Sequence, residues 1–264
     1  ILDALEQMPV EEYEKFYNEF GAVLKEGIHS DWSNRDKLAK LARFKTTKSD
    51  GKWVSLTDYV ARMKPDQNDI YYMTGDSLTS IINSPHLEVL KEKDYEVLLM
   101  TDPVDEFIIQ SMPEFEKKKF KSAEKGDLDI DKVDDTKKAA YSSLFEKIKA
   151  LLNDQVKEVK PSSHLRDSVS CLSGDNYDVS AYMEKLLKAS GQPMPPSKRI
   201  LELNISHPVM EKIQSIFEKN QEDAALKDYS LLLYDLAMVS EGGKIENPAR
   251  FSRQIGELMA KAIE

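Results

Sequence analysis

Two short apolar runs, Ile70-Tyr71-Tyr72-Met73-Thr74 and Glu96-Val97-Leu98-Leu99-Met100, constrain this chain more than anything else in it. The second is a compact apolar run, so it reads as a buried strand. The first is β-branched and aromatic and stops at Gly75-Asp76, which favours a strand over a helical turn. Residues 77–83, and then Leu87 and Leu90 after Ser84-Pro85, fall at helical spacing between the two runs. Strand, helix and strand over this length imply a βαβ unit with a parallel sheet.

Helices surround that unit. Leu2, Leu5 and Met8, then Tyr13, Phe16, Tyr17 and Phe20, recur at helical spacing on either side of Pro9, which ends one helix before a second over about 11–25. Residues 34–43 carry Leu38, Leu41 and Ala42 on one face, and Ser55 caps a short helix that ends by Pro65. Another helix is expected over about 104–112. Residues 116–138 are dominated by Lys, Asp and Glu, including Lys117, Lys118, Lys119 and Lys121, and read as a solvated linker. The expected domains are therefore 1–122, a linker to about 136, and 137–264.

Beyond the linker, residues 139–152 form an amphipathic helix with Leu144, Phe145, Ile148, Leu151 and Leu152 on one side. Residues 155–160, 168–172 and 199–205 read as strands, with a helix over about 178–189 between the last two. Three helices close the chain, at 208–218, 224–239 and 248–263. Ser206 or His207 before Pro208, and Asn247 before Pro248, supply caps with proline in the first turn. The fold class is α/β and α+β, with a mixed α/β second domain that ends in a helical hairpin.

A search for catalytic chemistry fails. No Gly-rich phosphate loop is present, and Gly242-Gly243 reads as a helix stop. His29, His86, His164 and His207 are scattered, with no pair at metal-ligand spacing. Asp127, Asp129 and Asp131 resemble the start of a calcium loop but lack its glycine and closing glutamate. Cys171 is the single cysteine among 264 residues, so no internal disulfide and no cysteine-based zinc site is expected. A buried structural thiol in a reducing cytoplasm fits it. No catalytic residue, no metal ligand and no cofactor are assigned to this chain. The net charge of −10 argues against wholesale binding to nucleic acid or anionic membrane. No apolar run approaches the roughly 20 residues that span a bilayer. A start at Ile1 inside a helical pattern is what an excised fragment would give.

Two hydrophobic stripes are more informative. Val179, Tyr182, Met183, Leu186 and Leu187 follow helical spacing and serve either as core or as an adaptable apolar grip, with residues 190–196 as a mobile tether. Phe251, Ile255, Leu258, Met259, Ala262 and Ile263 form one stripe of the last helix. The helix before it, including Leu232 and Leu236, is apolar nearly all round, so one face needs a further partner. A second copy of the same hairpin would supply it, giving a homodimer; burial of both faces within one protomer is the alternative.

Several segments resemble the heat-shock protein 90 family in wording and order. They are Phe20-Gly21, Leu24-Lys25-Glu26-Gly27-Ile28-His29, Leu38-Ala39-Lys40-Leu41-Ala42-Arg43-Phe44 and Ser55-Leu56-Thr57-Asp58-Tyr59-Val60-Ala61-Arg62-Met63. Further on come Ile70-Tyr71-Tyr72-Met73-Thr74-Gly75-Asp76-Ser77 and Glu96-Val97-Leu98-Leu99-Met100-Thr101-Asp102-Pro103-Val104-Asp105-Glu106. Met183-Glu184-Lys185 and Leu231-Leu232-Leu233-Tyr234-Asp235-Leu236-Ala237 extend the likeness more loosely. The resemblance implies an ATP-driven homodimeric chaperone of bacterial type that remodels partly folded client proteins, with ATP and magnesium held outside this chain. It implies a small αβα sandwich from the end of a middle domain, followed by a dimerisation domain. It places client contacts at Glu106, Phe107 and Gln110, with Phe107 where tryptophan is common, and on the helix bearing Val179, Tyr182, Met183, Leu186 and Leu187. The dimer interface would use Leu232, Leu236, Phe251, Ile255, Leu258, Met259 and Ala262. Phe107 and Met183 are expected to be exposed. A passive dimeric scaffold that holds no clients is the competing reading.

Overall fold

The computed structural model describes residues 1–192 and 197–263; the proline-rich end of the expected tether, residues 193–196, lies outside them. In chain order the elements are α1 (Leu2–Glu6), α2 (Val10–Ser30), α3 (Arg35–Leu41), β1 (Arg43–Thr46), β2 (Val54–Ser55), α4 (Leu56–Arg62), β3 (Ile70–Thr74), α5 (Leu78–Ile82), α6 (Glu88–Glu92) and β4 (Val97–Met100). They continue with α7 (Asp105–Ser111), β5 (Glu114–Phe115), β6 (Lys118–Ser122), α8 (Asp135–Leu152), β7 (Val156–Pro161), β8 (Ser170–Ser173), α9 (Ala181–Ala189), β9 (Arg199–Leu203), α10 (Pro208–Lys219), α11 (Ala224–Ser240) and α12 (Pro248–Ile263). The chain forms two compact units. The first holds Ile1–Asn83, Leu90–Ala123 and the stretch beginning at Ser180 with α9; the second holds Ser84–Val89, Glu124–Val179 and the elements from β9 onward.

The first unit is built on a six-stranded sheet ordered β2-β1-β4-β3-β6-β5. Strands β3 and β4 are parallel, with Tyr71 opposite Val97 and Thr74 opposite Met100, as the βαβ reading requires. Every residue of both strands is buried, so both faces of the sheet centre are covered. Helix α2 contributes Tyr13, Tyr17, Leu24 and Ile28 to a core with Leu38, Phe44, Leu56, Tyr59, Leu98 and Met100. The buried tyrosines also satisfy backbone carbonyls where elements end or begin: Tyr13 OH donates to Leu41 O at 2.5 Å and Tyr59 OH to Glu96 O at 2.5 Å. Such pairing avoids the cost of an unmatched buried hydroxyl.

The linker reading fails at its start. Residues 114–122 form a hairpin, and β6 pairs in parallel with β3, Ile70 opposite Phe120. Its turn residues Glu116 and Lys117 both have positive φ, 47° and 63°, the geometry of a two-residue type I′ turn. That turn normally carries Asn-Gly or Asp-Gly. With Glu-Lys in its place the signal is missing, and the lysines of a strand near the sheet edge read as solvated loop. Strand β1 was likewise hidden at the end of an expected helix; it pairs antiparallel with β4, Lys45 opposite Leu99.

In the second unit β9 is central, parallel to β7 and antiparallel to β8. Leu201 and Leu203 of β9 join Leu144, Phe145 and Ile148 of α8, Met210, Ile213 and Phe217 of α10, and Leu226, Leu233 and Ala237 of α11 in one core. Caps set the helix starts. Asp134 accepts from Lys137 N at 3.0 Å, which begins α8 four residues before the apolar pattern alone suggests. His207 accepts from Val209 N, and Asn247 accepts from Arg250 N at 2.9 Å, as the cap reading expects. Among the described residues no helix is long and apolar enough to cross a membrane.

Candidate functional site

The first candidate surface lies in the first unit, around α7. Lys25, on the apolar side of α2, is buried and ion-pairs with Asp102 at 2.7 Å and Asp105 at 2.8 Å. Burial pulls against its charge, but the two carboxylates win and hold the ammonium protonated above its ordinary range. Its cation also sits 4.6 Å from the centre of the Phe44 ring. This anchor fixes the start of α7 and so the pitch at which its outer residues emerge. Phe107 is 42% exposed, with the His29 ring 5.8 Å away, and Gln110 is exposed one turn on.

Helix α9 is assembled onto the same unit. Ser180 caps it by accepting from Met183 N at 3.0 Å, and its hydroxyl also donates to the buried Glu106 carboxylate. Tyr182 OH donates to Thr101 O at 3.0 Å, and Lys185 pairs with Asp76 at 2.8 Å. Glu106, at the first turn of α7, is thereby joined to Ser180 at the start of the helix that carries Tyr182 and Met183, 74 positions away in sequence. The expectation of exposure holds for Phe107 and fails for Met183, which is only 8% exposed, because the cap pulls the first turn of α9 down onto its unit. Tyr182 and Glu106 are buried as well, while Leu186 and Leu187 are half-buried. Val179 is half-buried and belongs to the second unit. Nothing in the spacing of Lys25, Asp102, Asp105 and Ser180 announces that they come together in this way. The one available signal is a lysine on the buried stripe of an amphipathic helix.

The second surface is the closing hairpin. Helix α11 buries Leu226, Leu232, Leu233 and Ala237, whereas α12 buries no residue at all. Arg250 of α12 pairs with the buried Asp235 of α11 at 2.5 Å. A cavity of about 400 Å³ opens where Val209, Ile213, Leu232, Leu236, Ile255 and Leu258 meet, and its lining is almost wholly apolar. Phe251 is half-buried, Met259 is 58% exposed and Ala262 is exposed.

A third feature corrects the view of the histidines as scattered. One ring nitrogen each of His86 and His164 lies with Cys171 Sγ inside a span of 4.8 Å, all three groups buried. Cys171 Sγ is 3.6 Å from His164 Nε2, and Glu202 Oε2 is 3.4 Å from that nitrogen. Burial pushes the Cys171 thiol well up and His164 down to about 4, so both are neutral near pH 7. Glu124 is pushed up to about 7 by burial, with His86 pulling the other way. Glu202 keeps its charge despite burial, through His164, Lys160 and the Ser173 hydroxyl.

Comparison with known proteins decides the family. A sequence model described as Hsp90 protein matches residues 1–264. The chain belongs to the Hsp90 family. Chaperone protein HtpG of Geobacter sulfurreducens is 44% identical over 273 residues, covering 98% of this chain and 42% of that protein. The protein of the same name from Alkalilimnicola ehrlichii is 44% identical over 274 residues, 99% of this chain and 41% of its own length. That of Aromatoleum aromaticum is 45% identical over 259 residues, 94% and 39%. The chain thus spans about two-fifths of the curated relatives it matches.

Proposed function

We propose that this chain is the client-handling and dimerising part of a chaperone similar to bacterial HtpG. Partly folded proteins would be held at the exposed rim of α7 and α9, and two copies would be joined through α11 and α12. The observation that carries the client assignment is Phe107, a large aromatic presented to solvent by a helix whose own start is pinned by a buried ion pair. Gln110, Leu186 and Leu187 extend the contact. Tyr182, Met183 and Glu106 support it from below rather than touching the client. Val179 stands outside the proposed contact set. The ATP and magnesium chemistry of the family is assigned to no residue of this chain, and the lone buried thiol suits a cytoplasmic setting.

Light scattering of an aggregating model client tests the reading. Phe107→Ala is expected to weaken protection severalfold while shifting the melting temperature little, since the ring is largely outside the core. Full protection by the variant would remove Phe107 from the site, and a wild-type chain without protection would favour a passive scaffold. An ATP titration of the same chain is expected to give no stoichiometric binding heat.

Dimerisation rests on α12, which has a full apolar stripe and no buried residue. Covering about six such side chains contributes on the order of 9–18 kcal/mol gross. Association costs of roughly 4–15 kcal/mol offset much of that, so the dimer is reversible. Leu258→Glu is expected to give a folded monomer by light scattering where the wild type is dimeric, because a buried carboxylate has no partner there. A wild type that stays monomeric at high concentration would refute the interface.

A further inference from the structure

We infer that His86, His164, Cys171 and Glu202 form a binding site for a borderline-soft divalent transition metal, with zinc as the ion whose chemistry fits best. Two imidazoles, a thiol and a carboxylate are a donor set typical of four-coordinate zinc, and together they exclude calcium and magnesium, which take oxygen alone. Ring nitrogens of both histidines and the sulfur already lie within 4.8 Å of one another. Around zinc, at about 2.0–2.3 Å from each ligand, they would need to close to roughly 3.3–3.8 Å. The Sγ–Nε2 distance of 3.6 Å between Cys171 and His164, and the 3.4 Å from that nitrogen to Glu202 Oε2, meet this already.

The state of His86 points independently to a ligand. Its Nε2 faces Leu172 O at 3.0 Å and Glu241 Oε1 at 3.7 Å, the backbone-carbonyl and carboxylate pairing that orients metal-binding histidines from behind. Its other nitrogen, Nδ1, is buried and has no hydrogen-bond partner. A buried ring nitrogen left unmatched carries a real cost, which a metal ion would remove. The His86 and His164 rings lie 5.5 Å apart, 32° from parallel.

The site also has an entrance. A cleft of about 470 Å³ in the same unit is lined by His164 and Glu202 together with Asp127, Asp131, Asp135, Glu146 and Glu158, opposed by Lys132, Lys138 and Lys160. Six carboxylates against three ammonium groups favour a cation on its way in. Lys160, 3.2 Å from Glu202 Oε1, would yield part of its hold when Glu202 turns to the ion. Binding replaces the thiol proton, which leaves to solvent, and no oxidation state changes.

Cobalt(II) and zinc(II) are the probes, added to the full chain under reducing conditions. One equivalent of cobalt is expected to give a thiolate-to-cobalt charge-transfer band and the intense visible bands of a tetrahedral site, both erased by one equivalent of zinc. Cys171→Ser should abolish the charge-transfer band, and His164→Gln should weaken zinc binding at least tenfold in competition with a chromophoric chelator. Absence of the charge-transfer band in the wild type overturns the assignment regardless of how the variants fold. So does unchanged zinc affinity in a folded Cys171→Ser/His164→Gln protein, which would place the ion on surface carboxylates or on His29 and His207.

Discussion

Each unit buries a polar centre, and the two handle charge in opposite ways. In the first, Lys25 remains an ion because Asp102 and Asp105 stand 2.7 and 2.8 Å away, and the pair locks α2 to α7. In the second, Cys171, His164 and Glu124 are each driven toward their neutral forms, while Glu202 is kept charged by its neighbours and the carboxylates around His86 favour its protonated ring against the cost of burial. A buried ion pair repays its desolvation by fixing geometry, and it fails badly when one member is removed. A cluster in which burial neutralises most members avoids much of that desolvation, so those members are sensitive to protons and to ligands rather than to the loss of one partner.

The sharpest way to break this contrast is Lys25→Met. It strands the fully buried Asp105 and is expected to cost about 3–5 kcal/mol in urea unfolding. A loss below about 1 kcal/mol would mean that the first centre is no more dependent on pairing than the second. Next comes Glu124→Gln, read against pH. The folded carboxyl titrates at about 7 rather than 4.5, so between those values the folded state holds a proton that the unfolded state has released. The contribution of Glu124 to stability is therefore present below about pH 4.5 and lost as pH rises through 7. The amide is expected to be nearly neutral at pH 5 and stabilising above pH 7, by at most about 3 kcal/mol. Equal effects at pH 5 and pH 8 would dismiss the neutral-cluster description. Smallest is Ser180→Ala, which removes the α9 cap and the donor to Glu106. About 1–2 kcal/mol and faster amide exchange across residues 181–189 are expected, with Ser180→Thr restoring both.

What the sequence disclosed follows the same physics. Strand β4 was legible because it is a compact apolar run covered on both faces, β3 because its β-branched and aromatic residues stop at Gly75-Asp76, and α12 because its stripe is clean at 3.6 residues per turn. The hairpin at 114–122 was not, since Glu116 and Lys117 occupy positive-φ positions without the usual turn residues. Periodicity identified α9 but not its depth: an apolar stripe on a helix looks the same whether it faces a core or a client. Only Ser180 reaching Glu106 settles that Met183 lies inside. The histidine–cysteine cluster was invisible for a simpler reason. His86 and His164 are 78 residues apart, and local spacing carries no information about a pairing made by tertiary structure.

The assignment of α9 to the first unit has a consequence for biosynthesis. Everything else in that unit has been translated by Ala123, yet its last helix begins only at Ser180. At about 5–20 residues per second the ribosome needs roughly 3–11 s to make the intervening stretch. During that interval Thr101 and Glu106 lack the groups that will cover them, and Phe107 stands beside an unfinished edge. A nascent chain of this kind therefore exposes an adhesive surface of its own before it is complete, and its yield should depend on translation speed across residues 124–179.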